Sequence, residues 1–414
     1  MAPASKRGKA GRLVLLAGFL AFSSLAAAAS TSWETIGPEG GSIRALAVNP
    51  KNPSEVFAAT SSWPAQVYRS TDGARSWRRL AIVPERLFDI AVDSVNPAVV
   101  YALGVSSVFR SSDSGASWTS FAHPVGSAET GGAIVVAPGE AGTLYAAGRK
   151  DSLAVAKSVN WGETWTLCCS GISPNSGYAT CAAVNPKNGR HVLVGGFSDG
   201  TWRIYRTTNG GQSWASVVCG FKPLDLAFDP FNALKALAVS ADGVYQTTDG
   251  GGVWTKLNLL PLYRLAADPL TPNRFFGGSS LNSFRTVDGG KTWSGTYDAQ
   301  IGSCTGLEVA GDQICFASSL GIFVAPTSGG SWQSGCSGLR AREILRTAVC
   351  PTAPNMVFLT DKDDNLFRTN DFGDTWALVT NLFHGASLTA MFMAPTWPPT
   401  IYMASLNAVN CGST

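Results

Sequence analysis

Residues 111–118 read SSDSGASW. The order is a hydroxyl, a spacer, Asp or Asn, a spacer, Gly, a spacer, Ser or Thr, then Trp, and with one or two departures in some copies it recurs eight times in the 414 residues. The copies are STDGARSW ending at Trp77, SSDSGASW at Trp118, SVNWGETW at Trp165, TTNGGQSW at Trp214, TTDGGGVW at Trp254, TVDGGKTW at Trp293, APTSGGSW at Trp332 and TNDFGDTW at Trp376. Successive Trp residues are 41, 47, 49, 40, 39, 39 and 44 residues apart. A period in the forties belongs to a four-stranded propeller blade once the local pattern is β.

That pattern is β throughout. Phrases such as ALAVNPKNPSEVFAAT, DIAVDSVNPAVVYALG and LAFDPFNALKALAVS precede the boxes, each two short apolar runs split by an Asn/Asp-Pro-type turn. Runs such as QVYRS, SVFRS and GVYQT then lead into the box. Each period therefore supplies about four short strands, and no amphipathic helical run of useful length is present. Within the box, a short Asp or Asn side chain can accept backbone N–H groups across a turn, Gly tolerates positive φ, and the hydroxyls add local bonds. The Trp can wedge against the neighbouring sheet and bury its area there. The box is thus read as a folding staple, one per blade. Its carriers are Asp72 and Trp77, Asp113 and Trp118, Asn160 and Trp165, Asn209 and Trp214, Asp249 and Trp254, Asp288 and Trp293, Trp332, and Asp371 and Trp376. The copy at Trp332 departs, with Thr327 at the carboxylate position and Ala325 for the hydroxyl, and predicts a looser turn.

These motifs resemble the Asp-box, or bacterial neuraminidase repeat, of sialidases, xyloglucanase-like glycoside hydrolases, the sortilin luminal domain and photosystem II assembly propellers. The resemblance covers nearly all of the chain after its N-terminal segment. It implies an all-β fold, a single β-propeller of eight or nine four-stranded blades with Asp-box hairpins. Trp33 in SWETIGPEGG and the last apolar stretch, SLTAMFMAPTWPPTIYMAS, suggest that N- and C-terminal strands share a blade and close the ring. It also implies that box carboxylates lie far from any active site.

Composition bounds the function. Hydrophobic residues make up 45%, charged residues 14%, and the net charge is +3, which suits a packed globular protein and speaks against nucleic acid as a partner. Lys6, Arg7, Lys9 and Arg12 precede LVLLAGFLAFSSLAAAA, the pattern of a secretory signal, so residues 1–29 are expected to be a signal peptide and 30–414 the propeller. The expected location is secreted or periplasmic, with no transmembrane segment after cleavage, as a monomer. Nine cysteines are compatible with disulfides in an exported chain, and an odd number leaves one unpaired within it. No CxxC pair and only three His argue against zinc, and no cofactor is expected.

The chemistry must then come from elsewhere. GFSDG at 196–200 matches G-x-S-x-G around Ser198, but a strand follows where the hydrolase elbow needs a helix. His123, His191 and His384 read as loop or solvent-exposed histidines. Asp361, Asp363 and Asn365 have a spacing that could offer calcium oxygen ligands, yet Leu366 stands where the loop needs Gly, and a solvated hairpin tip is the better reading. Aligning the inner strands on the turn that follows puts Ala45, Asp89, Ala133, Cys181, Asp225, Arg264, Arg346 and Ala390 at equivalent places, with Arg44 one residue earlier. Arg44, Asp89, Asp225, Arg264 and Arg346 are therefore the candidate ligand-binding residues at the channel mouth, with Asp225 and Arg264 read as a structural ion pair. The sialidase Phe/Tyr-Arg-Ile-Pro motif is missing; its nearest string is Trp202-Arg203-Ile204-Tyr205. Xyloglucanases place two opposed Asp on two propellers. The leading expectation is thus a non-enzymatic exported binding or assembly module for a protein or glycan. The alternative is a sialidase-like glycosidase using Asp89 and Asp225.

Overall fold

The computed structural model describes residues 42–125, 132–280, 282–297, 302–318, 320–335, 344–350, 353, 355–361, 365–371, 375–381, 387–393 and 401–406. Among them every regular element is a strand, and no helix is long and apolar enough to cross a membrane. There are eight four-stranded antiparallel sheets, each built from four consecutive strands, and one two-stranded sheet. The chain divides into two compact units. Residues 40–341 hold seven of the four-stranded sheets, and Arg342–Thr414 hold the eighth (strands from Ile344 to Asn381) and the pair Ser387–Met393 and Ile401–Leu406.

Residues 40–341 form a closed ring of seven blades. Their inner strands are Ile43–Val48, Leu87–Val92, Ala133–Val136, Gly177–Asn185, Asp225–Asp229, Arg264–Ala267 and Cys304–Ala310. Each packs against the next, and the seventh packs against the first. The multi-blade propeller is as expected, but the joining by a shared blade is not how this ring closes. Blade 7 meets blade 1 directly: Thr305 Oγ1 donates to Ile43 O at 2.6 Å, and Trp77 Nε1 to Gly335 O at 2.7 Å. Trp33 lies outside the described residues.

Two repeated devices build most of the blades. In the first turn an Asn or Asp side chain folds the chain back: Asn49 Oδ1 accepts from Lys51 N (2.9 Å), Asp93 Oδ1 from Val95 N (2.8 Å) and Asp268 Oδ1 from Leu270 N (2.7 Å). In the box, Ser111 Oγ donates to Asp113 Oδ1 at 2.7 Å and accepts from Gly115 N at 2.7 Å, while Ser117 N donates to Asp113 Oδ1 at 2.8 Å. Gly115 has φ 87°, where the left-handed backbone favours glycine, and its side-chain-free face packs against Leu80. Trp118 Nε1 closes the turn on Gly115 O, and its ring joins a cluster with Phe57 and Leu80 of the preceding blade. The core is accordingly a series of apolar clusters between adjacent blades.

Two copies differ in detail. The first has Gly73 one residue early, so Ala74 occupies the left-handed position at φ 66°. In the copy at Trp332, Arg285 Nη1 donates to Thr327 O and Ser328 O, and Trp332 Nε1 reaches Ser283 Oγ of blade 6. A crevice of ≈ 190 Å³ opens there between blades 6 and 7.

Candidate functional site

The seven inner strands line a channel of ≈ 560 Å³. Its acidic and basic side chains are Arg44, Asp89, Asp225, Arg264 and Glu308. Strand register confirms the equivalence of Ala45, Asp89, Ala133, Cys181, Asp225 and Arg264, which face Ala59, Leu103, Ala147, Gly195, Val239 and Gly278 across the blade. Gly306, opposite Ala317, is the blade 7 member.

The two aspartates do the same job three blades apart. Asp89 Oδ1 accepts from Ile90 N and Oδ2 from Ile134 N on the next inner strand, both at 2.9 Å. Asp225 Oδ1 accepts from Leu226 N at 2.9 Å and Oδ2 from Leu265 N at 3.0 Å. Other polar residues continue the belt: Thr180 Oγ1 donates to Pro223 O at 2.6 Å, and Arg264 Nε to Thr305 O at 2.7 Å. The expected Asp225–Arg264 ion pair is corrected here. The two make no contact pair; each binds backbone of the following blade, and their attraction acts through space.

Burial sets the electrostatics. It pushes the Asp89 carboxyl up to about 6, against the two backbone N–H bonds that hold it down, with the charge of Asp225 adding to the rise. Burial likewise raises Asp225, opposed by Arg264 and its own two N–H bonds. Burial and then Arg264 lower the Arg44 guanidinium, which lies over the Phe88 ring at 5.7 Å. Glu308 is raised to about 8, by burial and then by Asp225 and Asp89.

Arg346 lies on the inner strand Ile344–Val349 of the other unit, opposite Thr360, so residues 40–341 do not bring it to this channel; its side chain and that of Ala390 are outside the described residues. Ser198 ends the strand Asn188–Ser198, and another strand begins at Thr201, as a turn reading requires. His191 is not a loop residue: it is buried on that strand, with Nε2 2.9 Å from Gly250 O and its ring edge-on to Phe228. Burial likewise lowers His123. His384 and Asp363 are outside the described residues. Asp361 and Asn365 are buried and bonded to each other, Asn365 Nδ2 lying 3.0 and 2.9 Å from the two carboxylate oxygens, rather than forming a solvated tip. The seven described cysteines are all thiols. Among the described residues no group of three His, Cys, Asp or Glu is arranged to hold a metal.

Sequence reasoning missed two features. Glu308 escaped because blade 7 has GDQ where the other blades carry an X-Pro turn, Asn/Asp-Pro in most, so an alignment anchored on that turn passes over it. The second is on blade 4, whose strands Gly177–Asn185 and Asn188–Ser198 are longer than most. The extension carries Tyr178, Phe197 and Trp202 in mutual contact, with Phe197 and Trp202 5.0 Å apart and Lys222 Nζ 5.5 Å from the Trp202 ring. Tyr178 is two residues, or about 7 Å, from Thr180 on the channel wall. The aromatic cluster therefore begins just beyond the channel-lining part of blade 4. Its signal was Trp202-Arg203-Ile204-Tyr205, noticed only as a failed sialidase motif.

No family model matches the sequence, and no curated protein matches it. Solved structures do. A GH74 enzyme of Niastella koreensis aligns over 87% of this chain and 69% of its own, at 16% identity and TM-score 0.65. An ancestral GH74 enzyme aligns over 92% of this chain at 19% identity and TM-score 0.69, and this chain spans 60% of its length. YCF48 bound to D1 peptide aligns over 70% of this chain and 94% of its own, at 14% identity and TM-score 0.54. At such identities the likeness is one of fold, and the fold it shows is the multi-blade β-propeller.

Proposed function

We propose that this chain is an exported, non-enzymatic propeller that binds or assembles with a protein or glycan through the loop face around its channel mouth. The observation carrying this reading is the use made of Asp89 and Asp225. Each carboxylate accepts one N–H from its own strand and one from the next blade, so its oxygens are engaged in holding the ring. Both carboxylates are thus held by backbone donors on both oxygens, and neither is paired with a side-chain acid or base as a catalytic couple would be. The half-buried aromatic cluster with Lys222, just beyond the channel-lining part of blade 4, offers the contact chemistry of a recognition surface. Among the similar folds, YCF48 is seen with a peptide bound.

The test pairs glycan-array and envelope-protein binding screens with assays for release of sialic acid and reducing sugar. Binding without turnover, weakened by Trp202→Ala, is the expected result. Sugar release abolished by Asp89→Asn or Asp225→Asn in folded protein would overturn the reading in favour of a glycosidase.

A further inference from the structure

Two residues beyond the Asp89/Asp225 position, each inner strand places one more residue on the channel wall. It is Ala47, Ala91, Ala183, Ala227 and Ala266 in five blades and Val135 in blade 3. In blade 7 the register, with Glu308 opposite Cys315, puts Glu308 there. One carboxyl thus interrupts an otherwise small, apolar ring. Unlike Asp89 and Asp225, it has no hydrogen-bond partner among the described residues. Its side chain is half-buried and opens onto the channel, and nothing in the ring's architecture uses it.

The groups facing it are few. Across the channel are Asp89 and Asp225; Arg44 and Arg264 flank it from blades 1 and 6. Arg264 is engaged by Thr305 O and Tyr263 O. Cys304 on its own strand, Cys315 on the adjacent one and Cys181 on blade 4 are buried thiols that burial pushes up to about 12. Two acids and two bases at the mouth cancel in sign, which leaves Glu308 as the uncompensated group. A divalent metal would want about six oxygen ligands, far more than this wall provides. A single carboxylate between methyl-sized walls instead matches an organic ammonium, one charged end on a short apolar body.

We propose that the channel of residues 40–341 is a binding site for a small primary ammonium compound whose –NH3+ group pairs with the Glu308 carboxylate while its alkyl part lies against the alanine ring. On binding, Glu308 releases its proton to solvent and the amine keeps its own, so the complex gains one ion pair and the solution one proton. This site is separate from the loop-face reading, and either can fail without the other.

Calorimetric titration of the full chain with butylammonium chloride tests it. Saturable binding is expected, tightening ~10-fold between pH 6 and 7 and levelling above about pH 8, with close to one proton released per amine at pH 7 when buffers of different ionisation enthalpy are compared. Glu308→Gln should weaken binding at least ~10-fold and abolish the proton release. Glu308→Ala, which gives blade 7 the residue of five other blades, should do the same with an unchanged circular dichroism spectrum. The proposal is overturned if the wild-type chain does not bind butylammonium, if Glu308→Gln binds it equally well, or if butyrate binds more tightly than butylammonium.

Discussion

Single residues show where this fold is satisfied and where it is not. The box accepts Asn at 160 and 209 because in these copies the amide Oδ1 meets the backbone as a carboxylate oxygen does: Thr164 N and Ser213 N lie 3.0 Å from it. Asp72→Asn should therefore change the melting temperature little, whereas Asp72→Ala, losing bonds from Arg75 N and Ser76 N, should lower it by ~2–4 °C in a calorimetric scan. Ala74 is the opposite case. At φ 66° it holds a conformation that glycine adopts freely, so Ala74→Gly should raise stability by about 0.5–1 kcal/mol in urea unfolding. Glu308 provides the pH signature. Its folded-state pKa, about 8, lies above its ordinary value of 4.5, so the folded form holds the proton more tightly and stability is lost as pH rises through that window. Glu308→Gln removes that loss. The melting temperature of the variant relative to wild type should climb between about pH 5 and 8 and then level, and a gap independent of pH would show that the channel does not raise this carboxyl.

At the scale of elements, the inner strands do more than line the channel. Thr180, Asp225, Arg264 and Thr305 each bond to backbone at or just before the following inner strand, from blade 4 round to blade 1. These bonds tie blades whose sheets share no ladder. Thr305→Val keeps the volume and removes only the bond to Ile43 O, and should reduce stability by about 1–2 kcal/mol with an unchanged urea m-value. The sequence displayed the charged members of this belt but not their use. Alternation tells which residues share a face, while the blade that receives a side chain depends on how two sheets pack. Asp225 and Arg264 occupy equivalent places on successive blades and look like a pair; the backbone between them offers better-aligned partners, and each takes those instead.

For the whole molecule, closure is the decisive feature. Blade 7 packs on blade 1, so the ring of residues 40–341 leaves no open edge of its own. A chain ending at Ala341 should therefore retain the cooperative unfolding transition of this ring, and loss of that transition in the truncated chain would show that Arg342–Thr414 are needed to close it. What the sequence by itself determined was the architecture of the blade: eight boxes, their spacing and the alternating apolar runs fix four short strands per period, because turn chemistry and strand periodicity are local. Tertiary structure alone decided how many blades enter one ring, since that depends on the angle at which each sheet packs on the next, a property spread over every interblade cluster. It also decided which channel residues are satisfied. Asp89 and Glu308 are both acids on inner strands, but one meets two backbone N–H groups and the other meets none, and only the placement of a neighbouring strand separates them.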